Sequence, residues 1–104
     1  MIAKTPLPPY YAVIFTSLLN ENDAGYAEMS DLMIDLVQKQ DGFLGIESAR
    51  SELGITVSYW KDAESIKKWK AESNHQNAQN KGRSHWYSHY KVRIAKVERD
   101  YEFE

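Results

Sequence analysis

Four stretches of the chain carry apolar patterns that are typical of β-strands. Tyr10–Leu19 is nearly continuous in aromatic and β-branched residues, which indicates a strand buried on both faces. Phe43–Arg50 and residues 55–60 are shorter runs, and the loop 51–54 between them predicts an antiparallel hairpin. Residues 86–97 alternate in part between apolar and polar positions, which predicts a long last strand that continues into the tail.

The segment after the first strand changes to helical spacing. Apolar residues recur there at steps of three and four: Tyr26, Met29, Met33, Leu36 and Val37. Asn22 or Asp23 is available as the N-cap of a helix that begins near Ala24. Gly42 predicts the end of this helix, which we expect at about Gln40.

Two further helices are predicted after residue 60. Asp62 caps one that runs through Trp69. Ser73, with Gln76 three residues later, forms an S-x-x-Q capping box that starts a separate helix, which we expect to end at Gly82. The order is therefore β-α-β-β-α-β with an extra short helix before the last strand.

This element order predicts an α+β fold, the ferredoxin-like split βαβ arrangement of a four-stranded antiparallel sheet. Right-handed crossovers place both main helices on one face of the sheet. The first strand is apolar toward both faces, so we expect a second copy of the chain to cover the other face in a homodimer. Residues 1–9 contain three prolines and are expected to form an extended leader, while residues 10–104 form a single domain.

Composition narrows the classes of function. Thirteen Lys and Arg against fifteen Asp and Glu give a net charge of -2, which argues against nucleic acid as the main partner. The absence of cysteine excludes disulfides, iron–sulfur clusters and thiolate zinc sites. We find no apolar run of about eighteen residues and no apolar signal core, so we expect no membrane partner and a cytoplasmic location. Three Trp, seven Tyr and three Phe indicate a pocket or an interface.

A spaced pattern of aromatics and glycines runs through the second half of the chain. Its members are Tyr59, Trp60, Lys61, Asp62, Trp69, His75, Ala78, Gly82, Trp86, Tyr87, Tyr90, Arg93, Arg99, Asp100, Tyr101 and Phe103. Together with Gly25, Tyr26 and the segment 42–48, this pattern resembles the antibiotic biosynthesis monooxygenase domain family. The resemblance implies a dimeric α+β barrel in which each subunit holds a pocket between its sheet and helices. Known members include cofactor-independent oxygenases that convert polycyclic phenols to quinones, and haem-degrading oxygenases.

His75 and Trp69 are the candidate catalytic residues. His75 falls in the first turn of the predicted third helix, where the helix dipole favours a neutral imidazole that can accept a proton. The alternative is that His75 faces solvent and that Trp69 is a core residue, although the family counterpart of Trp69 lines the pocket. We expect the helix break at Ser73 to aim both side chains into one cavity.

Four aromatic residues are candidates for substrate binding: Trp60, Trp86, Tyr87 and Phe15. Three of them have alternatives. Trp60 could pack between strand and helix, and Trp86 with Tyr87 could form the dimer contact.

No metal or cofactor is expected. His85 and His89 share a side of the predicted strand but would lie ~13 Å apart, and no third ligand is evident. The sequence has no glycine-rich motif of the kind that binds nucleotide phosphates. Residues 54–58 lack the exposed aromatic residues that RNA-recognition domains carry on this strand. The resemblance further implies that haem-degrading members bind iron through a histidine ten residues after the helix tryptophan. Here that residue is Gln79, so haem degradation is not expected.

Two functions are compatible with these observations. The first is a cofactor-independent monooxygenase that oxidises a small aromatic or polycyclic substrate with dioxygen, the substrate itself supplying the electrons. The second is a non-catalytic dimeric module of the same fold that binds a small ligand. Turnover with oxygen uptake separates them.

Overall fold

The computed structural model describes residues 1–79 and 86–103, with the side chains of 77–79 excepted. Its elements, in chain order, are β1 (Tyr10–Leu19), α1 (Tyr26–Val37), β2 (Phe43–Arg50), β3 (Gly54–Trp60), α2 (Ala63–Gln79) and β4 (Tyr87–Val97). The four strands form one antiparallel sheet in the order β2-β3-β1-β4. This is the split βαβ order, so the predicted ferredoxin-like fold is confirmed.

The strands lie close to where the hydrophobic pattern predicts them. Only the extension of the last strand into the tail is wrong, because β4 ends at Val97. Val97 pairs with Tyr10, the first residue of β1. The residues before Tyr10 are Pro8 and Pro9, which have no N–H to donate, so β4 has no partner to extend along.

Helix α1 begins and ends differently from the prediction. Its N-cap is Gly25, in a left-handed conformation with φ 86°, and no side chain caps it. Neither Asn22 nor Asp23 is the N-cap, because Asn22 accepts from Ala24 N–H and only the backbone carbonyl of Asp23 accepts from Tyr26 N–H. The helix ends at Val37, well before Gly42, which has φ 82°.

Helix α2 is one continuous helix, so the predicted break at Ser73 is wrong. Asp62 does cap its start, since its Oδ1 accepts from Ser65 N–H at 2.8 Å. Ser73 is buried within the helix, and its hydroxyl donates to the carbonyl of Lys70 at 3.0 Å instead of capping a new N-terminus. The expected end at Gly82 lies outside the described residues.

The two faces of the sheet differ in their cover. The helix face carries alternate residues of β1 from Tyr11 to Ser17. The opposite face, called the open face because no helix covers it, carries Tyr10, Ala12, Ile14, Thr16 and Leu18. Tyr10 and Ala12 are buried even so, and Tyr10 hydrogen-bonds Thr5 of the N-terminal segment and Asp100 of the tail. The core on the helix face consists of Val37, Trp60 and Ile66, with Tyr11, Val13, Phe43, Ile46 and Trp69 packed against it.

The N-terminal segment contacts the sheet through a carboxylate. Glu47 accepts from Ala3 N–H at 2.8 Å and from the Tyr59 hydroxyl at 2.7 Å. These hydrogen bonds lower the pKa of Glu47. Burial, followed by the bond to Glu47, raises the pKa of Tyr59 to about 12. Tyr10, whose ring meets that of Tyr59 edge-on at 5.9 Å, donates to Asp100 in the tail.

Neither helix in the described residues is both long and apolar enough to cross a membrane.

Candidate functional site

An aromatic cluster forms at the end of the helix face where β1 and β4 meet α1. Its members are Phe15, Tyr26, Trp86, Tyr87 and Tyr90. The alternation of β1 places Phe15 toward the helices, and the register of β4 places Tyr90 beside it on the same face. Tyr26 enters from the first turn of α1. The topology therefore gathers aromatic residues that are far apart in sequence.

The rings of the aromatic cluster are in direct contact. Phe15 stacks on Tyr90, with ring centroids 5.4 Å apart and planes inclined by 27°. Tyr87 meets Phe15 at 5.4 Å and Tyr26 at 5.8 Å, both edge-on. Trp86 packs against Tyr26 at 6.5 Å and donates its indole N–H to the carbonyl of Ala24 at 2.9 Å. Such offset and edge-on contacts are the favoured arrangements of aromatic rings.

A cation joins the aromatic cluster from the far edge of the sheet. Arg50, the last residue of β2, donates from Nη2 to the hydroxyl of Ser17 on β1. The guanidinium carbon lies 5.6 Å from the ring centroid of Tyr26, within the range of a cation–π contact. Ser17 is only 2% exposed, whereas Arg50 is exposed. The cluster therefore has a polar and positively charged margin.

The helix face stays open along β4. Tyr90, Val92 and Ile94 form an apolar stripe on this face, and they are 41%, 42% and 58% exposed. Val92 pairs with Phe15 and Ile94 with Val13, which confirms that they face the helix side. The helices cover the β2–β3 side of this face, so an apolar surface beside the aromatic cluster remains accessible to a ligand.

Three of the four candidate substrate-binding residues meet in the aromatic cluster: Phe15, Trp86 and Tyr87. Trp60 does not. Its ring is 0% exposed, packs edge-on against Phe43 at 5.5 Å and stacks on Trp69 at 6.2 Å. A ligand therefore has no exposed surface of Trp60 to contact, and the indole N–H of Trp60 donates to the Ser58 hydroxyl at 2.9 Å.

The candidate catalytic residues lie on one helix but point apart. Trp69 is half-buried against the core, whereas His75 is exposed. Six residues along a continuous helix turn two side chains about 120° away from each other. The prediction that Trp69 and His75 face one cavity is therefore wrong, because the helix break on which it depended is missing. The catalytic roles of the two residues stay predictions.

The described surface includes hollows in two places. One, of about 290 Å³, is lined by Gly25, Glu28, Met29, Leu32 and Trp86 and adjoins the aromatic cluster. The other, of about 510 Å³, lies between the N-terminal segment and the edge strand β2, with Ala3, Phe43 and Ile46 in its wall. Neither contains His75 or Trp69.

Metal-binding groups are dispersed in the described part of the chain. No three His, Asp or Glu side chains of residues 1–79 and 86–103 come close enough to hold one ion. His89 is exposed and pairs with Leu18 on the open face, and His85 lies outside the described residues. The expectations of no metal and no cofactor stay predictions.

A protein-family model described as monooxygenase af470-like matches residues 18–96. The chain belongs to this family. The matched region holds Arg50 and every member of the aromatic cluster except Phe15. The af470-like chain is also 51% identical over 105 residues to YqjZ, an uncharacterized protein of Bacillus subtilis (strain 168), covering 99% of this chain and 92% of YqjZ.

Solved structures with the same fold include an oxygenase. SnoaB, a cofactor-independent oxygenase from Streptomyces nogalater, superposes with a TM-score of 0.72 at 9% identity, covering 88% of the af470-like chain and 95% of SnoaB. A Nitrosomonas europaea protein assigned provisionally to the antibiotic biosynthesis monooxygenases has a TM-score of 0.67 at 12% identity, covering 90% and 94%. At such identities the likeness shows the fold, which is that of the antibiotic biosynthesis monooxygenases, as the sequence resemblance implied.

Four members of the site are not among the candidates from the sequence: Arg50, Ser17, Tyr26 and Tyr90. The spacing of Tyr26 predicts only an apolar residue of α1, and the position of Arg50 predicts only the polar end of a strand. The available signal was the register of the predicted hairpin. Pairing Arg50 with Gly54 leaves no side chain on β3 to block the guanidinium from reaching β1.

Proposed function

We propose that this protein is a cofactor-independent monooxygenase that oxidises a small aromatic or polycyclic substrate with dioxygen. The observation that carries the proposal is the accessible apolar stripe of β4 beside the aromatic cluster. Flat aromatic ligands stack on such surfaces, and Phe15 with Tyr90 offers a stacked pair at its margin. The fold shared with SnoaB supports the proposal.

The chemistry needs no redox group of the protein. A phenol or enol with an oxidisable carbon loses its acidic proton, and the resulting anion supplies electrons to dioxygen. One oxygen atom forms a new carbonyl on the substrate and the other leaves as water, so that an anthrone and one dioxygen give an anthraquinone and one water. The protein contributes a dry aromatic surface and groups that favour the anion.

Oxygen uptake tests this function. We expect 1,8-dihydroxyanthrone or 1-naphthol to give enzyme-dependent uptake in the presence of EDTA, with one atom of ¹⁸O₂ in the quinone. Tyr90→Ala should lower kcat/KM by roughly tenfold or more, because it removes the stacking surface. Tyr101→Ala is the matched control, since Tyr101 is 91% exposed in the tail and should change kcat/KM less than about twofold.

Uptake no faster than with heat-denatured protein would contradict the enzyme hypothesis. Saturable binding of the same compounds would then support the alternative function, a non-catalytic module that binds a small ligand.

The role of His75 is decided in the same assay. General-base help predicts a fall of roughly 10²-fold in turnover for His75→Ala. The exposed position of His75, turned away from Trp69, instead predicts a change within about twofold, and this is the result we expect. A fall of 10²-fold or more would return His75 to the catalytic site.

We also propose that two copies pair through their open faces in a cytoplasmic homodimer. Leu18 and Ile55 are exposed apolar residues on this face, and Ile14 and Val57 are half-buried beside them.

Sedimentation should give about twice the 12.1 kDa of the chain. Ile55→Glu should give the monomer mass, because it buries a carboxylate in the contact. The matched change Leu53→Glu, in the exposed hairpin turn, should stay dimeric. A wild-type monomer at micromolar concentration would refute the pairing.

A further inference from the structure

The side chain of Arg50 can reach from β2 to β1 because Gly54, on the strand between them, has no side chain. Arg50 pairs with Gly54 across the hairpin, and Gly54 pairs with Ser17 on β1. A Cβ at Gly54 would lie 2.6 Å from Nε of Arg50 and closer still to its guanidinium carbon. The guanidinium therefore lies close over the backbone of β3 at Gly54, and any side chain at this position would displace it.

This arrangement uses only part of the hydrogen-bonding capacity of the Arg50 guanidinium. A guanidinium carries five N–H donors, and Arg50 uses Nη2 to reach Ser17. No carboxylate forms an ion pair with Arg50 among the residues that the structure describes. Its guanidinium carbon lies over the ring of Tyr26, and Arg50 is exposed although Ser17 is buried. Donors arranged as a planar fork are suited to two oxygen atoms of an anion.

An aromatic surface adjoins this cation. Tyr26 contacts Tyr87, Tyr87 contacts Tyr90, and Tyr90 begins the exposed apolar stripe of β4. A ring that stacks along the stripe and an oxyanion at Arg50 can thus belong to one ligand. Neither feature alone selects a ligand class, but their juxtaposition does.

We infer that Arg50 is a specificity-determining residue that binds the anionic oxygen of an aromatic ligand, a carboxylate or a phenolate, whose ring lies against the aromatic cluster. This inference rests on the proposed function for the place of the ring, and it adds the charge of the substrate. Where that oxygen is a phenolate, Arg50 stabilises the same anion from which the proposed oxidation draws its electrons.

Equilibrium binding of two matched probes tests the inference without any turnover. The probes are 2-naphthoate and the neutral 2-naphthamide, which share one ring system, measured by calorimetry at fixed salt. We expect wild type to bind the naphthoate at least tenfold tighter than the naphthamide. Arg50→Gln should remove this preference by weakening the naphthoate alone at least tenfold. Gly54→Ala should have a similar effect, because it moves a guanidinium that is still present.

Arg93→Gln is the control, since Arg93 pairs with Ile14 and so projects from the open face of the same sheet. It should change neither affinity by more than about twofold. Thermal melts monitored by circular dichroism verify that each variant is folded. Equal affinity for the two probes in wild type, a preference that persists in Arg50→Gln, or its loss in Arg93→Gln instead would overturn the inference. Failure to bind either probe would overturn it too, whereas failure of oxygen uptake alone would refute only catalysis.

Discussion

Replacing Trp60 by alanine is expected to cost about 3–5 kcal/mol in the free energy of unfolding, as large-to-small changes at fully buried aromatics do. Trp60 is 0% exposed and is held between Phe43 and Trp69. The change leaves a cavity beneath α2 and also leaves the buried Ser58 hydroxyl without the indole N–H that donates to it. Urea unfolding at fixed protein concentration measures the loss.

Trp60→Phe is the control for this change. It keeps an aromatic ring at the centre of the core and removes mainly the hydrogen bond and part of the volume, so about 1–2 kcal/mol should be lost. A loss below about 1 kcal/mol for Trp60→Ala would mean that the residue is not packed as described, and would reopen the possibility that it contacts a ligand.

Alanine at Gly42 is expected to destabilise the protein much more than alanine at Gly25. Both glycines have positive φ, 82° and 86°, so either change carries a backbone cost of about 1–2 kcal/mol. A Cβ at Gly25 meets nothing nearer than 3.8 Å, whereas at Gly42 it would lie 2.7 Å from Cβ of Ser65. Rotating the serine side chain does not move its Cβ, so the start of α2 must shift, at a further cost of roughly 1–3 kcal/mol.

The difference between the two glycines is what urea unfolding should detect. Ser65→Gly in the Gly42→Ala background should recover part of the loss, since it removes the atom in conflict. Equal losses at Gly42 and Gly25 would show that backbone conformation alone accounts for both and that α2 does not approach Gly42 closely.

Most of the fold could be predicted from the sequence because the strand signal is local. The continuous apolar run of β1 and the short run of β2 are predicted with the bounds that the structure has. The helix ends were less predictable, since a capping signal such as Ser73 competes with a hydrogen bond to the helix backbone at Lys70. Nothing in the local sequence decides that competition. The burial of Ser73 in the folded chain, where it is 3% exposed, is a tertiary property.

The candidate site was predictable only in part, for a similar reason. Aromatic residues are candidates for ligand binding by residue type alone, and Phe15, Trp86 and Tyr87 do come together in the structure. The local sequence does not mark Arg50 as a site residue. Its position at the aromatic cluster depends on the pairing of three strands and on the absence of a side chain at Gly54. Trp60 and His75 show the opposite case: their residue types are suited to a site, but one is enclosed by the core and the other is exposed on α2.

The central claim is that an aromatic ligand binds on the helix face of the sheet, between the aromatic cluster and the apolar stripe of β4. Chemical-shift mapping by ¹⁵N and aromatic ¹³C NMR during titration with 2-naphthoate tests it most directly. The largest shifts should fall on Phe15, Tyr26, Tyr90 and Val92 and on the Arg50 side chain, with little change at Ile55 and Leu18. Shifts concentrated at Ile55 and Leu18, on the open face, would contradict it.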